Sequence, residues 1–215
     1  MSFDKNWEKL VYKQSLQINQ YPFDWIVSST FNQIKRFNKK KVLELGCGTG
    51  NNLRFFKDLN FKEIIGVDGS KTAIKLAKKN IKSKKIKLIQ NDFSKINFKS
   101  NYFDLIVDRG SITHNPKKEI NQIFDKLYKF LKKDGLFFST IFSSRHYGNF
   151  IKIKNKSFKD EINSKEGLTS SFFNQREIKK QFSKFKIISL QLEEKKSLIP
   201  HNRKNSAWWL IISKK

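Results

Sequence analysis

The sequence is poor in the residues that staple or interrupt a fold. It has one cysteine, Cys47, three prolines and nine glycines among 215 residues. A single cysteine excludes a disulfide framework and a cysteine-based zinc site, and so little proline and glycine excludes collagen-like and proline-rich chains. No apolar run approaches the roughly 18 residues that a membrane span needs, and the first residues lack the apolar region of a signal peptide. We therefore expect a protein of the reduced cytoplasm, with no membrane span.

Acidic residues are also scarce. The chain has 19 Asp and Glu against 45 Lys and Arg, a formal net charge of +26. This balance suggests a nucleic-acid partner, but only six of the positive residues are arginine, whereas phosphate recognition favours clustered arginine. Abundant Lys, Asn, Ile and Phe together indicate a compositional drift that spreads lysine over every solvated face. Nucleic acid therefore remains an alternative partner, which the charge suggests but which is not favoured.

Apolar residues are plentiful enough for one globular domain, since 38% are hydrophobic and 21 are Phe. Short β-rich apolar runs alternate with amphipathic lysine-rich stretches, a pattern typical of βαβ units. The pattern predicts an α/β fold with a doubly wound, seven-stranded, mostly parallel sheet. Its last two strands are joined without room for a helix, so they should pair antiparallel. The predicted strands are 41–45, 63–67, 86–90, 103–107, 136–142, 185–192 and 207–213. Between them, Ser70 is predicted to cap one helix, and Asn174 and Glu177 have the spacing of a capping box at the start of another. A further helix is predicted to begin with Asn115 as its cap and Pro116 as its first residue, and to end at Asp134-Gly135.

Two segments fall outside this alternation. Residues 1–37 read as a helical segment interrupted at Tyr21-Pro22, and residues about 147–173 form a polar stretch between the fifth strand and the next helix. The remainder, 38–215, carries the strand and helix pattern. We predict that both segments are lids over a site at the edge of the sheet.

A glycine-rich turn follows the first predicted strand, in the run Val42-Leu-Glu-Leu-Gly-Cys-Gly-Thr-Gly50. Its glycines allow tight backbone geometry and close approach of a cofactor. The second strand ends in Asp68, about twenty residues on, where a carboxylate accepts hydrogen bonds from ribose hydroxyls. The third ends in Asn91-Asp92-Phe93, which offers a carboxylate and an aromatic ring to adenine. The sequence therefore predicts a nucleoside site at three successive strand ends.

These motifs resemble those of the class I S-adenosylmethionine-dependent methyltransferases over residues 40–142. The resemblance implies that Gly46 and its neighbours line the methionine part of S-adenosyl-L-methionine, Asp68 holds the ribose, Asp92 and Phe93 hold the adenine, and Asp108 lies near the methionine amino group. A nicotinamide dehydrogenase would have a third glycine where Asn51 stands. The full set of candidate cofactor-binding residues is Glu44, Gly46, Cys47, Gly48, Gly50, Asn51, Asp68, Gly69, Ser70, Asn91, Asp92, Phe93 and Asp108. No metal site is expected.

The candidate catalytic residues follow the fourth and fifth strands. His114 is the first choice for a base or acceptor-positioning group, and His146 is the second. His201 could approach the same rim. Arg109 could hold an anionic acceptor. Trp7, Tyr12 and Tyr21 could close over a sulfonium cation.

The resemblance implies a methyltransferase that acts on an O or N atom of a small-molecule acceptor. The alternative is an RNA or other nucleic-acid methyltransferase. Against it, Asp108-Arg-Gly-Ser replaces the motif of the amino-methylating enzymes, and the cysteine of the cytosine-C5 enzymes is absent there. A third hypothesis is a binding protein without catalysis, which the intact cofactor motifs oppose.

Overall fold

The computed structural model describes residues 5–13, 18–146, 161–163, 169–199 and 205–215. Most of the predicted lid at about 147–173, and also His201, lie outside the described residues. Within the described residues, no helix combines the length and apolarity that a membrane crossing requires.

A seven-stranded sheet forms the centre of the molecule, with strand order β3-β2-β1-β4-β5-β9-β8. Strands β1 to β5 run parallel, and β9 pairs antiparallel with both β5 and β8. The prediction of a mostly parallel sheet with an antiparallel last strand is confirmed. Its strands are β1 (Lys41–Leu45), β2 (Glu63–Asp68), β3 (Ile86–Gln90), β4 (Phe103–Arg109), β5 (Leu131–Phe142), β8 (Lys186–Lys195) and β9 (Ser206–Lys214), while β6 (Glu161–Asn163) and β7 (Thr169–Ser171) form a separate two-stranded ladder.

Three helices connect parallel strands of the sheet, namely α2 (Asn51–Asp58), α3 (Lys71–Ile81) and α4 (Lys117–Phe130). Helix α1 (Asp24–Gln33) precedes β1, and α5 (Gln175–Gln181) precedes β8. There are also a π-helix at Trp7–Tyr12 and 3₁₀ turns at Phe37–Lys39 and Ile112–His114. Two predicted caps are confirmed. The Ser70 hydroxyl accepts the Ala73 N–H at 2.9 Å at the start of α3, and Asn174 forms a capping box with Glu177 at the start of α5.

Helix α4 differs from the prediction at both ends. It ends at Phe130 and not at Asp134-Gly135, because Leu131 already has extended backbone and pairs with Phe103 of β4. At its start, Pro116 takes the cap position. Asn115 instead donates its side-chain amide to the Ile112 carbonyl at 3.0 Å, within the preceding 3₁₀ turn.

Two apolar clusters cover the two faces of the sheet. Neighbouring residues of one strand alternate between them: Val42 and Leu105 belong to the cluster under α1, α2 and α3, whereas Leu43 and Ile106 belong to the cluster under α4 and α5. Successive side chains of a strand point to opposite faces, so strands buried on both faces are continuously apolar. The polar residues consequently collect at the strand ends.

Candidate cofactor and acceptor site

The turn between β1 and α2 needs glycine for its backbone and for its packing. Gly46, Gly48 and Gly50 have φ of +59°, +51° and +83°, a region that other residues adopt with strain. A Cβ on Gly46 would lie 2.2 Å from Ser111 Cβ, and one on Gly50 would lie 2.5 Å from Ile81 Cδ1. The turn therefore brings bare backbone to the carboxyl edge of the sheet.

Asp68, the last residue of β2, is bound to this turn by its side chain. One carboxylate oxygen accepts the Gly48 N–H at 2.9 Å, and the other accepts the Ser70 N–H at 2.8 Å. The side chain is nearly buried, and burial raises its pKa to about 6 in spite of these two bonds. Asp68 thus fixes the turn and also adds negative charge beside it.

Glu44 in β1 carries the most perturbed carboxylate of the site. It is 2% exposed, and its Oε1 accepts the Asn52 amide N–H at 2.7 Å. Its Oε2 is buried and has no hydrogen-bond partner among the described residues. The pKa of Glu44 is raised to about 8, mainly by burial and to a smaller extent by the negative charges of Asp68 and Asp108. A buried oxygen without a partner is costly, so this atom is suited to a cationic or hydrogen-donating ligand.

Asp108 near the end of β4 is fully buried and fully engaged with its own chain. Its Oδ1 accepts the backbone N–H groups of Ser111 at 2.8 Å and Ile112 at 3.0 Å, as well as the Ser111 hydroxyl. Its Oδ2 accepts the Ser139 hydroxyl at 3.1 Å. Asp108 therefore holds the segment after β4 in place.

The π-helix at the N-terminal end packs over the glycine turn. Glu8 on this helix accepts the Ser70 hydroxyl at 2.5 Å and the Thr72 hydroxyl at 2.6 Å. Tyr12 is buried, and its hydroxyl oxygen lies 3.0 Å from the position of a Cβ on Gly48. The helix is thus fastened to the start of α3 and covers the turn.

The chain after the π-helix also lies against the turn. The Thr49 hydroxyl donates to the Asn19 carbonyl at 3.0 Å, and the Asn51 amide donates to the Tyr21 carbonyl at 2.8 Å. The Tyr21 side chain is 78% exposed and is not part of the cover. Backbone carbonyls of the N-terminal segment, rather than the Tyr21 ring, make this contact.

A cavity lies between this cover and the strand ends. There are sixteen candidates when the thirteen cofactor-binding residues are taken together with Arg109, His114 and His146. The cavity brings together ten of them, which are Glu44, Gly46, Cys47, Gly48, Asn51, Asp68, Gly69, Phe93, Arg109 and His114. Trp7 and Tyr12 line it too. The Cys47 thiol is buried, and burial raises its pKa well above the usual value, so it is not a nucleophile.

The other six candidates do not line the cavity. They are Gly50, Ser70, Asn91, Asp92, Asp108 and His146. Asn91 and Asp92 instead shape the loop after β3, since the Asn91 side chain accepts the Asp92 N–H and the Asp92 side chain accepts the Ser94 N–H, both at 2.8 Å. Their assignment to adenine stays a prediction.

Arg109 lies at the cavity between two aromatic rings from distant parts of the chain. Its guanidinium carbon is 4.2 Å from the centre of the Phe23 ring and 4.9 Å from that of Trp208. The indole approaches because Gly110 has no side chain: a Cβ there would lie 2.8 Å from the Trp208 ring. Burial lowers the pKa of Arg109, while nearby carboxylates raise it. The faces of both rings attract the positive charge of the guanidinium by a cation–π interaction.

His114 lines the same cavity from the 3₁₀ turn after β4. Its Nδ1 lies 3.2 Å from the Thr169 carbonyl oxygen and 3.0 Å from the Ser170 hydroxyl. Because a carbonyl only accepts hydrogen bonds, the contact with Thr169 favours the tautomer that has the hydrogen on Nδ1 and the lone pair on Nε2. The ring packs edge-on against Trp7, with centroids 4.7 Å apart.

His146 packs away from the cavity among aromatic side chains. It is 6% exposed, and its ring centre lies 4.3 Å from that of Phe142 and 5.9 Å from those of Phe172 and Trp208. Burial lowers its pKa to about 4. The geometry makes His146 part of the wall behind Trp208.

Comparison with known proteins supports the family. The family model described as a methyltransferase domain matches residues 42–135. The match identifies residues 42–135 as a methyltransferase domain. A solved S-adenosylmethionine-dependent methyltransferase from Methanosarcina mazei has a similar fold, with a TM-score of 0.74 at 17% identity over 91% of this chain and 98% of that chain.

Two curated relatives match part of the chain. An uncharacterised protein of Rickettsia prowazekii is 36% identical over 102 residues, which cover 46% of this chain and 41% of that protein. A phosphoethanolamine N-methyltransferase of Plasmodium falciparum is 28% identical over 120 residues, which cover 55% of this chain and 45% of that protein. The chain thus spans less than half the length of each of these two relatives.

Several residues that line this cavity were not among the candidates from the sequence. They include Phe23, Asn52, Ser111 and Trp208. Asn52 had a local signal in the sequence, because it stands four residues before Phe56 on the apolar face of α2. The structure confirms that it is buried. Phe23 and Trp208 had none, since an aromatic residue near a helix or in a strand is usually core.

Proposed function

We propose that this protein is an S-adenosylmethionine-dependent methyltransferase that acts on an O or N atom of a small-molecule acceptor. The observation that carries the proposal is the cavity at the strand ends. It combines a turn of three positive-φ glycines with Asp68 and with the unpartnered Glu44 Oε2. The match of residues 42–135 to a methyltransferase domain supports the same activity.

The residues present fit the methyl donor. Glu44 Oε2 would accept a hydrogen bond from the ammonium of the methionine part, which satisfies the orphan oxygen. Asp68 has one lone pair left on each oxygen after its bonds to Gly48 and Ser70, so it can accept both ribose hydroxyls. Phe93 offers an apolar surface to the adenine. Asn91, Asp92 and Asp108 support the loops behind these contacts.

The donor supplies a methyl group on a sulfonium, which leaves by in-line displacement. The protein then has to align the acceptor, exclude water and remove a proton where the acceptor is an alcohol or an ammonium. Trp7 and Tyr12 in the cover exclude water. For the base we propose His114, which lines the cavity and whose Nδ1 lies 3.2 Å from the Thr169 carbonyl oxygen, a contact that favours Nε2 as the basic atom of the neutral ring.

An N-directed transfer to a small molecule has support from the Plasmodium relative, which is named a phosphoethanolamine N-methyltransferase. Incubation with labelled donor and a fractionated cell extract tests the acceptor class. We expect label in the small-molecule fraction. Label in RNA that is lost after nuclease treatment would favour the nucleic-acid alternative and overturn this part of the proposal.

Substitution of Asp68 tests the donor site. Asp68→Asn should weaken the binding of S-adenosylhomocysteine by about 10- to 100-fold in calorimetry, since a hydrogen bond to a charged group contributes about 1.5–3 kcal/mol. Asp104→Asn is the matched control. Asp104 is paired with Lys132 at 2.9 Å at the opposite end of β4, so its loss should leave the affinity unchanged. Equal affinity in the Asp68 variant and the wild type would place the donor elsewhere.

A further inference from the structure

Arg109 makes few hydrogen bonds for a half-buried guanidinium. Of its five N–H groups, only one has a partner among the described residues, the 3.4 Å bond from Nη1 to the Thr140 hydroxyl. Its other contacts are the rings of Phe23 and Trp208, which attract the cation and accept none of its directed N–H bonds. The guanidinium is therefore held in position with most of its donors unused.

Three carboxylates raise the pKa of Arg109, those of Asp108, Glu193 and Asp24, but none of the three forms an ion pair with it. In the described part of the chain, no carboxylate oxygen lies within 4.0 Å of it. Asp108 is committed to its four hydrogen bonds, and Glu193 is paired with Lys195 at 3.0 Å. The third, Asp24, is exposed on the first turn of α1. A positive charge at a cavity without a close counter-ion favours an anionic ligand.

The charged residues of the cavity come from three neighbouring strands. Asp68 on β2 and Arg109 on β4 lie on opposite sides of β1, which carries Glu44, and Arg109 meets Trp208 from β9. The basic part of the cavity, on the β4 side, is thus walled by aromatic rings. The basic part is where an acceptor of opposite charge would be recognised.

We propose that Arg109 binds an oxyanion of the acceptor, a carboxylate or a phosphate ester, whose apolar body packs against Phe23 and Trp208. The fork of N–H groups on a guanidinium matches two oxygens of either group. Recognition of the acceptor rests on the proposed function, but the anion site itself can be tested without the methyl donor.

Three probes that share a phenyl ring test the site, namely benzyl alcohol, benzoate and phenyl phosphate. In titrations monitored by tryptophan fluorescence, we expect at least one of the two anions to bind about tenfold or more tightly than the neutral alcohol. The anion with the higher affinity identifies the oxyanion. Equal affinities for all three probes would overturn the proposal.

Variants of Arg109 separate the guanidinium from the general positive field. Arg109→Gln should abolish the preference for the anion, and Arg109→Lys should keep part of it, because the charge remains and the fork is lost. Arg145→Gln is the matched control. Arg145 is exposed and paired with Glu194, so the same change of charge there should leave the preference intact. Loss of the preference in the Arg145 variant would show that net charge, and not this site, binds the anion.

The same variants are titrated with S-adenosylhomocysteine. Its affinity should change less than about twofold in Arg109→Gln, whereas the Asp68 variant loses affinity. A large loss in Arg109→Gln would mean that Arg109 holds the carboxylate of the donor, and it would refute the acceptor assignment. If the wild type binds no S-adenosylhomocysteine but retains the anion preference, the proposed function fails while the anion site stands.

Discussion

Glu44→Gln removes one ionisable group from the floor of the cavity with little change of shape. The Gln carbonyl can still accept the Asn52 amide N–H that Glu44 accepts at 2.7 Å. The substitution therefore separates the charge of Glu44 from its packing. Three properties should change together: the pH dependence of stability, the affinity for S-adenosylhomocysteine and the release of a proton on binding.

The magnitudes follow from the pKa of Glu44, which burial raises from 4.5 to about 8. The folded state then holds a proton that the unfolded state loses, so stability falls as the pH rises from 4.5 to 8. At 1.36 kcal/mol per pKa unit, the loss is of the order of 5 kcal/mol. At pH 7 the free protein carries about 0.9 proton on this group, which an ammonium bound beside Oε2 should displace.

Calorimetry in two buffers of different ionisation enthalpy, PIPES and imidazole, measures the proton release. We expect about 0.9 proton released at pH 7 by the wild type and none by Glu44→Gln. The wild-type affinity should rise about tenfold from pH 6 to pH 7. A binding heat that does not depend on the buffer would refute the reasoning, because Glu44 would then be ionised already or remote from the ammonium.

Two further variants test the surroundings of the cavity. His146→Phe should abolish a loss of stability on acidification from pH 6.5 to 4, of the order of 3 kcal/mol, since burial lowers the pKa of His146 to about 4 and the unfolded state takes up the proton first. Thermal unfolding at several pH values measures it, and a wild-type midpoint that is flat over this range would contradict the prediction. Glu8→Gln should raise the rate of tryptic cleavage after Lys9 about tenfold or more, because bonds from Ser70 to the charged side chain are lost. With Glu194→Gln as the control, an unchanged rate would mean that other contacts hold the π-helix.

Much of the fold follows from local patterns. The central strands β1, β2 and β4 come within two residues of their predicted bounds because both of their faces are covered, which makes them largely apolar. The caps at Ser70 and Asn174 also act within one helical turn, so their residue types suffice to predict them. The predicted end of α4 was wrong, because Leu131 pairs with Phe103 and this non-local contact outweighs the helical pattern.

The part of the candidate site proposed to bind the methyl donor could also be predicted from the sequence. Gly46, Gly48 and Asp68 lie at strand ends whose position is set by the parallel order of the sheet, and the structure brings them to one cavity. The role of Asp108 was less visible. Its hydrogen bonds turn inward to Ser111 and Ile112, which depends on the path of the chain after β4.

The sequence by itself determined the α/β fold, the glycine turn and the acidic residue beside it, because each depends on periodicity or on contacts between adjacent strand ends. Only the tertiary structure decided the surroundings of Arg109. The antiparallel pairing of β9 with β5 brings Trp208 opposite Phe142, and the N-terminal segment brings Phe23 to the other side of the guanidinium. These residues are about one hundred positions apart from Arg109, and no local pattern records a contact that chain topology creates.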